Sequence, residues 1–393
     1  MYLGLIEAKY DYKLSYLDEW AKAWHQIAER TERFNVVQNG DLKKLHQRMK
    51  DFDLLVVLHS VTADSNSWLK KLSSINNHSR APMILFVGNE FSSPFLSMEL
   101  RLELIAQMGP DLIASQLPID SARWLYEKTG SRVVTAPPGL PNVEKGETQE
   151  TRTIDFGYRG FPYPWYLLDE DRNTTIDSVT ALFNIYRKHV DISYSQRFNT
   201  LEWFDFLKQS HFTASSEAGS RFVFRNDEIW VPIKEYFLNH HKFKAINNDA
   251  TGMSLLRRLP RPMKELIKQI TSSVGVNQAS LFKPDSREIE LIRELIDPEK
   301  YEYRNGKAIS SRHFDAIACG TWQILKPGNY NGILDSSRHF TEYSEANHDS
   351  IIELIENPFL SRKMANYALE DLSSTHTYYM RVRQCLSDLT DKK

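Results

Sequence analysis

The chain has 393 residues, 41% of them apolar and 25% charged, an ordinary balance for a globular protein of two or three domains at roughly 150 residues each. The 49 lysines and arginines stand against 51 acids, a formal charge of −2, which argues against a dedicated nucleic-acid binder with its strong basic excess. The two cysteines, Cys319 and Cys385, make neither a C-x-x-C pair nor a zinc pattern and fit a reducing compartment.

The N-terminus has no basic stretch leading into a long apolar run, and no apolar run reaches about 18 residues. A cytoplasmic protein is expected, with peripheral contact at the inner face of the membrane as a further expectation. Tyr2–Ala8 reads as a strand, and the residues from Ser15 as a helix with Leu17, Trp20, Ala21, Trp24, Ile27 and Ala28 on one face. Strands over Phe34–Gln38, Asp53–Leu58, Met83–Val87, Asp111–Ser115 and Arg132–Thr135 then alternate with helices over Asp41–Lys50, Ser67–Ser73, Met98–Met108 and Ser121–Thr129. Such alternation predicts a mainly parallel sheet covered on both faces, with its ligand crevice at the carboxyl ends of the strands. Pro137, Pro138 and Pro141 break the rhythm, and the polar Glu144–Arg152 reads as a linker. The first domain is therefore placed at 1–145 and the second at 153–375.

The second half repeats the pattern with strands over Thr153–Tyr158, Asp191–Tyr194 and Phe212–Ser215 and helices over Thr174–Lys188 and Leu201–Gln209. Residues 221–300, with helical stretches around Met263–Ser272 and Arg287–Ile296, read as an insertion. Within AISSRHFDAIACGTWQILKPGNYNGIL, Ser310 or Ser311 caps a short helix to about Cys319, Trp322–Leu325 is a strand, and two glycine turns follow. A helix N-terminus with Arg312 suits a phosphate, and Asp315 one turn further could meet ribose hydroxyls. Gly328 and Gly332 would let a ligand approach the backbone. Taken alone, a capped helix before a strand is common to every α/β protein.

This segment resembles the C-terminal half of bacterial GT-B glycosyltransferases, the CgeB-like and surface-polysaccharide group, whose pattern is approximately I-S-P-R-H-F-E-A followed by E-G-x-Y-S-G-I-L. Here it reads Ile309-Ser310-Ser311-Arg312-His313-Phe314-Asp315-Ala316 and Pro327-Gly328-Asn329-Tyr330-Asn331-Gly332-Ile333-Leu334. Further likenesses are Asp155-Phe156-Gly157-Tyr158-Arg159-Gly160 with Pro162 to Tyr166, Ser216-Glu217-Ala218-Gly219-Ser220, Phe86-Val87-Gly88-Asn89-Glu90-Phe91, His339, and the tail Ser374-Thr375-His376-Thr377-Tyr378. Together they follow family order across most of the chain. The resemblance implies two Rossmann-like domains facing a cleft, with a C-terminal helix within 376–393 crossing back to the first domain. It implies an acceptor domain first and a nucleotide-sugar domain second. The donor would be held by Tyr158, Arg159, Ser310, Arg312, His313, Asp315, Tyr330, Gly332, Ile333 and Leu334. Two departures stand out: Asp315 replaces the usual Glu, and Lys307 stands where related retaining enzymes carry a sugar-binding acid.

Arg159 could clamp a diphosphate or lie stacked on Tyr158 or Tyr163. Glu217 could bind a donor hydroxyl or satisfy a helix N-terminus. Glu90 could act as a base on an acceptor hydroxyl or cap the next segment. His59, at the end of a strand, could contact the donor phosphate or the acceptor, or be a satisfied structural residue. The basic run from Arg257 to Lys264 could meet anionic headgroups or a lipid-linked acceptor, or be a solvated loop. His240 and His241 are badly placed for joint ligation, and no metal or cofactor is assigned. Cys319 reads as a packed thiol. The expected reaction is metal-independent transfer of a sugar from a nucleoside diphosphate to a hydroxyl of a glycan, lipid-linked or protein acceptor. Retention at the sugar carbon is implied by the resemblance alone. A catalytically weak glycan- or nucleotide-binding scaffold and a sugar-nucleotide epimerase are the alternatives.

Overall fold

A computed structural model describes residues 1–9, 15–63, 65–73, 80–94, 96–143, 152–195, 198–233, 235, 290 and 293–391. The basic run Arg257–Lys264, His240-His241, the helical stretch at Met263–Ser272 and all of the linker but Arg152 lie outside these residues.

The first half folds as strands β1 (Tyr2–Glu7), β2 (Arg30–Asn35), β3 (Leu54–Val57), β4 (Met83–Phe86), β5 (Leu112–Ser115) and β6 (Arg132–Thr135). Its helices are α1 (Ser15–Ile27), α2 (Asn39–Arg48), α3 (Asn66–Ser73), α4 (Met98–Met108) and α5 (Ile119–Tyr126). The six strands form one parallel sheet in the order β2-β1-β3-β4-β5-β6. The central strands β3 and β4 are buried at every position, because helices cover both sheet faces. The edge strand β2 starts earlier than the apolar run suggested. Its first four residues, Arg30 to Arg33, are exposed or half-buried, so it carries charge where a central strand would carry apolar side chains.

The second half has β7 (Ile154–Arg159), β8 (Val190–Ser193), β9 (Ser210–Ser215), β12 (Trp322–Leu325) and β13 (Thr341–Glu342), all parallel, in the order β13-β12-β9-β7-β8. Helices α6 (Asp171–Ile185), α7 (Thr200–Gln209), α8 (Ser311–Ala318), α9 (His348–Glu356) and α10 (Pro358–Ser373) pack around it. Strand order reverses between β7 and β9, which opens a crevice at their carboxyl ends. Between the sheets lies a two-stranded antiparallel ribbon, β10 (Val223–Phe224) with β11 (Tyr303–Arg304).

That ribbon grips the first half. Val223 joins the core formed by α3, α4 and α5. Ser97 caps α4 by accepting the Leu100 N–H, and Asp227 from the second half adds to that start by accepting the Met98 N–H at 3.0 Å and the Ser97 hydroxyl. Ser121 donates to the Asn305 carbonyl, and Arg225 pairs with Glu127 while lying over Trp124. On the opposite side the final helix α11 (Tyr378–Thr390) packs on α1, and Tyr378, Val382 and Cys385 share a core with Trp20 and Trp24. The chain passes between the halves beside itself there. Leu140 N–H donates to the His376 carbonyl at 2.7 Å, and Gly139 is required because a Cβ would come within 2.6 Å of the Thr377–Tyr378 peptide.

Among the described residues no helix is long and apolar enough to cross a membrane.

Candidate functional site

The β7–β9 crevice gathers four short segments: Arg159-Gly160 after β7, Ser216 to Ser220 after β9, the start of α8, and the loop 326–334 after β12. Residue 308 bridges to 218 and Gly306 N–H donates to the Ser220 carbonyl, which brings Lys307 to the same place.

The N-terminus of α8 is tied by its own side chains. Ser310 is the N-cap, and its N–H donates to His313 Nδ1 at 3.0 Å. This fixes the imidazole with its proton on Nε2. Burial, then the nearby Arg172 charge, lowers its pKa to about 3, so the ring is neutral. His313 therefore shapes the helix start, packing edge-on against Tyr330 at 5.2 Å. Arg312 is half-buried. It donates to the Arg159 carbonyl at 2.6 Å and lies over Tyr158 and Trp203 at 5.6 and 5.2 Å.

Arg159 meets the site through that carbonyl. Its guanidinium turns to Asp191 on β8 at 2.7 Å and lies over Phe206 at 4.3 Å, so it is engaged beside the sheet and not turned to the crevice. Asp315 is buried and accepts from the Trp203 indole N–H at 3.0 Å. Burial raises its pKa to about 7, partly countered by Trp203 and Arg312.

Glu217 holds the loop after β12. Its Oε1 accepts the Tyr330 N–H at 2.7 Å, and a Cβ on Gly328 would stand 2.6 Å from Oε2. The close approach that Gly328 permits is thus to a carboxylate of the protein. Tyr330, Asn331 and Gly332 are consecutive left-handed residues, with φ of 48°, 57° and 66°. The Gly332 and Ile333 amides close the turn on the Asn329 and Tyr330 carbonyls, and Ile333 and Leu334 pack in the core of the second half.

In the first half, Glu90 is buried and receives three hydrogen bonds, from Ser115, the Gln116 N–H and Tyr126 at 2.6, 2.7 and 2.7 Å. It anchors the loop after β5 and faces protein donors. His59 is not brought to the crevice. A 3-10 turn at His59–Val61 folds its ring inward against Trp20 and Phe86, fully buried, and burial lowers its pKa to about 3.

Sequence reasoning missed the charges around Lys307. Its ammonium pairs with the fully buried Asp169 and lies 3.6 Å from Asp171, which in turn binds Arg221 at 2.8 Å. It also missed Arg172, in the first turn of α6. Arg172 is 8% exposed and its guanidinium lies 4.0 Å over the Tyr163 ring. Among the described residues its buried Nε has no hydrogen-bond partner. Arg312 stands nearby: burial lowers its pKa, Tyr158 opposes that, and Arg172 adds to it. One buried and one half-buried guanidinium group thus face one crevice, and the Nε of the buried one has no hydrogen-bond partner among the described residues. Arg159 and Arg221 have acidic partners, whereas Arg172 and Arg312 have none among the described residues, and a buried cation without one favours an anion beside it. The signal in the sequence was an arginine in a helix's first turn, opposite to the usual placement of acids there.

Among the described residues no three His, Cys, Asp or Glu side chains converge as metal ligands.

Residues 293–387, which include α8 and the loop after β12, match the model of a family described as glycosyl transferase-like. No curated protein matches the chain. Among solved structures, HepE of Anabaena in complex with UDP-glucose is 10% identical over 99% of both chains, with a TM-score of 0.51. The same protein with UDP and glucose is 11% identical over 99% of both chains (TM-score 0.45). The N-terminal domain of trehalose-6-phosphate phosphatase from Candida albicans is 12% identical over 99% of this chain and 96% of that one (TM-score 0.39). At such identity the HepE likeness is one of fold: two parallel α/β sheets in the GT-B arrangement.

Proposed function

We propose that the chain is a glycosyltransferase that moves a sugar from a nucleoside diphosphate to a hydroxyl acceptor. The observation that carries this reading is the buried Arg172, whose Nε has no partner among the described residues, beside Arg312 at the β7–β9 crevice. Two guanidinium charges next to the N-termini of α6 and α8 suit a diphosphate. They would stabilise the charge that grows on it as the glycosidic bond breaks, without a bound metal. The glycosyl transferase-like match over α8 and its following loop supports the same site, and HepE holds UDP-glucose on a similar fold. Arg159 contributes its carbonyl, which aims Arg312, and His313 keeps the α8 start in place. Use in bacterial surface glycan synthesis and a retaining outcome belong to this proposal through the resemblance alone, and contact with the inner membrane face through the basic run Arg257–Lys264.

The deciding experiment is calorimetry and product analysis with UDP-, GDP-, dTDP- and CMP-sugars. Binding of a diphosphate sugar followed by glycoside formation is expected, and failure of every donor to bind would overturn the reading. A second reading, a nucleotide-binding scaffold, draws on the fact that Glu90, Glu217 and Asp315 all accept protein hydrogen bonds and that Lys307 is paired with Asp169. Binding with no turnover on any donor would favour it.

A further inference from the structure

We propose that Asn331 is a positioning residue through which the first half of the molecule fixes the donor loop, with Glu90 and Glu217 anchoring the two ends of the connection. The inference rests on the donor-site reading above for its functional meaning, but its geometry stands apart from it.

The loop after β12 has an unusual backbone. An Asn-Gly pair in the left-handed region is a common turn, since both residues tolerate positive φ. Tyr330 at φ 48° is not explained that way, because a bulky side chain resists this region. What holds it is the Glu217 carboxylate on its N–H, together with its own hydroxyl on the Lys326 carbonyl. The Asn331 side chain is then free of its own turn and serves two other partners. Its Oδ1 accepts the Ile309 N–H at 2.7 Å, one residue before the α8 N-cap. Its Nδ2 donates across the cleft to the Gln116 carbonyl at 3.2 Å. Gln116 itself is held by Glu90 on its N–H at 2.7 Å.

One amide therefore connects three things: the strained loop, the entry to α8 with Arg312, and the carboxyl end of β5 in the opposite half. The bonds run Glu90 to Gln116, Gln116 to Asn331 and Asn331 to Ile309, while Glu217 pins the neighbouring residue. This arrangement gives both carboxylates a use that requires no contact with substrate. A strained loop that is completed from across the cleft has its intended shape only while the β5 loop is presented to it. Any ligand that prefers that shape must in turn favour the cross-cleft contact, since coupling between two sites is reciprocal.

The test uses the full chain and needs no ligand. Asn331→Asp keeps the left-handed tolerance and the acceptor for Ile309, but sets an anionic oxygen against the Gln116 carbonyl. Amide hydrogen exchange of the segment 328–334 should rise about tenfold, as should exchange at 115–121 in the other half, with β7 and β12 unchanged. Glu90→Gln approaches from the far end and keeps Asn331 intact. It should also speed exchange at 328–334, although residue 90 does not touch that loop, and a purely local structural role would confine its effect to the β4–β5 region. Wild-type exchange at 328–334 in both variants would overturn the proposal. If no nucleotide sugar binds the wild-type chain, the donor reading fails while these exchange results still decide the connection.

Discussion

Arg172→Met separates a ligand-binding arginine from a structural one, because the two roles predict effects of opposite sign. In the ligand-free chain Arg172 is 8% exposed, its guanidinium lies 4.0 Å over Tyr163, and its buried Nε has no hydrogen-bond partner among the described residues. Its removal relieves the unsatisfied burial of the Nε donor, worth about 1–3 kcal/mol, and forfeits a cation–π contact of about 1–2 kcal/mol. Methionine fills a similar volume. The net expectation is a ligand-free stability equal to wild type or higher by up to about 2 kcal/mol. With a phosphate about 4 Å away, an effective dielectric of about 20 gives an attraction of about 4 kcal/mol, part of which is offset by desolvating the anion. Affinity for UDP or pyrophosphate should therefore fall by about 2–4 kcal/mol, or about 30- to 1,000-fold. Urea unfolding with and without pyrophosphate reads the first effect, and calorimetry with UDP the second. A variant that is less stable than wild type and binds UDP equally well would refute the reasoning and make Arg172 a packing residue.

Arg312→Ala should weaken diphosphate binding by about 2–4 kcal/mol by calorimetry; unchanged affinity would remove Arg312 from the site. Asp315→Asn should flatten a pH dependence. Between pH about 4 and about 7 the unfolded chain releases the Asp315 proton while the folded chain keeps it, so stability falls as pH rises through that window and is level above it. The rise of about 3 units sets a ceiling of about 4 kcal/mol, and the amide still offers an oxygen to Trp203. Denaturation at pH 5 and pH 8 should show the asparagine variant gaining on wild type at the higher pH, and parallel profiles would contradict this. Asp227→Ala should cost about 1–2 kcal/mol through loss of its bonds to the Met98 N–H and the Ser97 hydroxyl at the start of α4, read by urea unfolding of the first half.

The alternating strands and helices were legible because each buried strand, such as Leu54–Val57 or Met83–Phe86, is a run of apolar residues wherever it occurs. The Ser310 cap was legible because a cap is local. What was not legible depends on partners far along the chain. Arg159 and Asp191, or Asp227 and Ser97, meet only after the sheets form. Arg172 was passed over because the apolar pattern suggested a helix from Thr174, whereas α6 begins at Asp171 and includes it. His59 was expected at a strand end facing the crevice. The 3-10 turn that reverses the chain there carries no signature in its residues His59-Ser60-Val61.

The docking of α11 on α1 has a consequence for how the protein is made. Trp20 and Trp24 find Tyr378, Val382 and Cys385 only in the last helix of the sequence, with the Tyr378 ring edge-on to Trp20 at 5.1 Å. During synthesis the first six strands emerge long before those residues do. Trp20 and Trp24 can pack against Phe86 as soon as the first sheet forms, but the side of their core that α11 closes must wait until about 240 further residues have left the ribosome, some tens of seconds at the usual rates. The nascent chain would be exposed to aggregation and chaperone capture over that interval. Its first domain is completed last, by the residues translated at the other end.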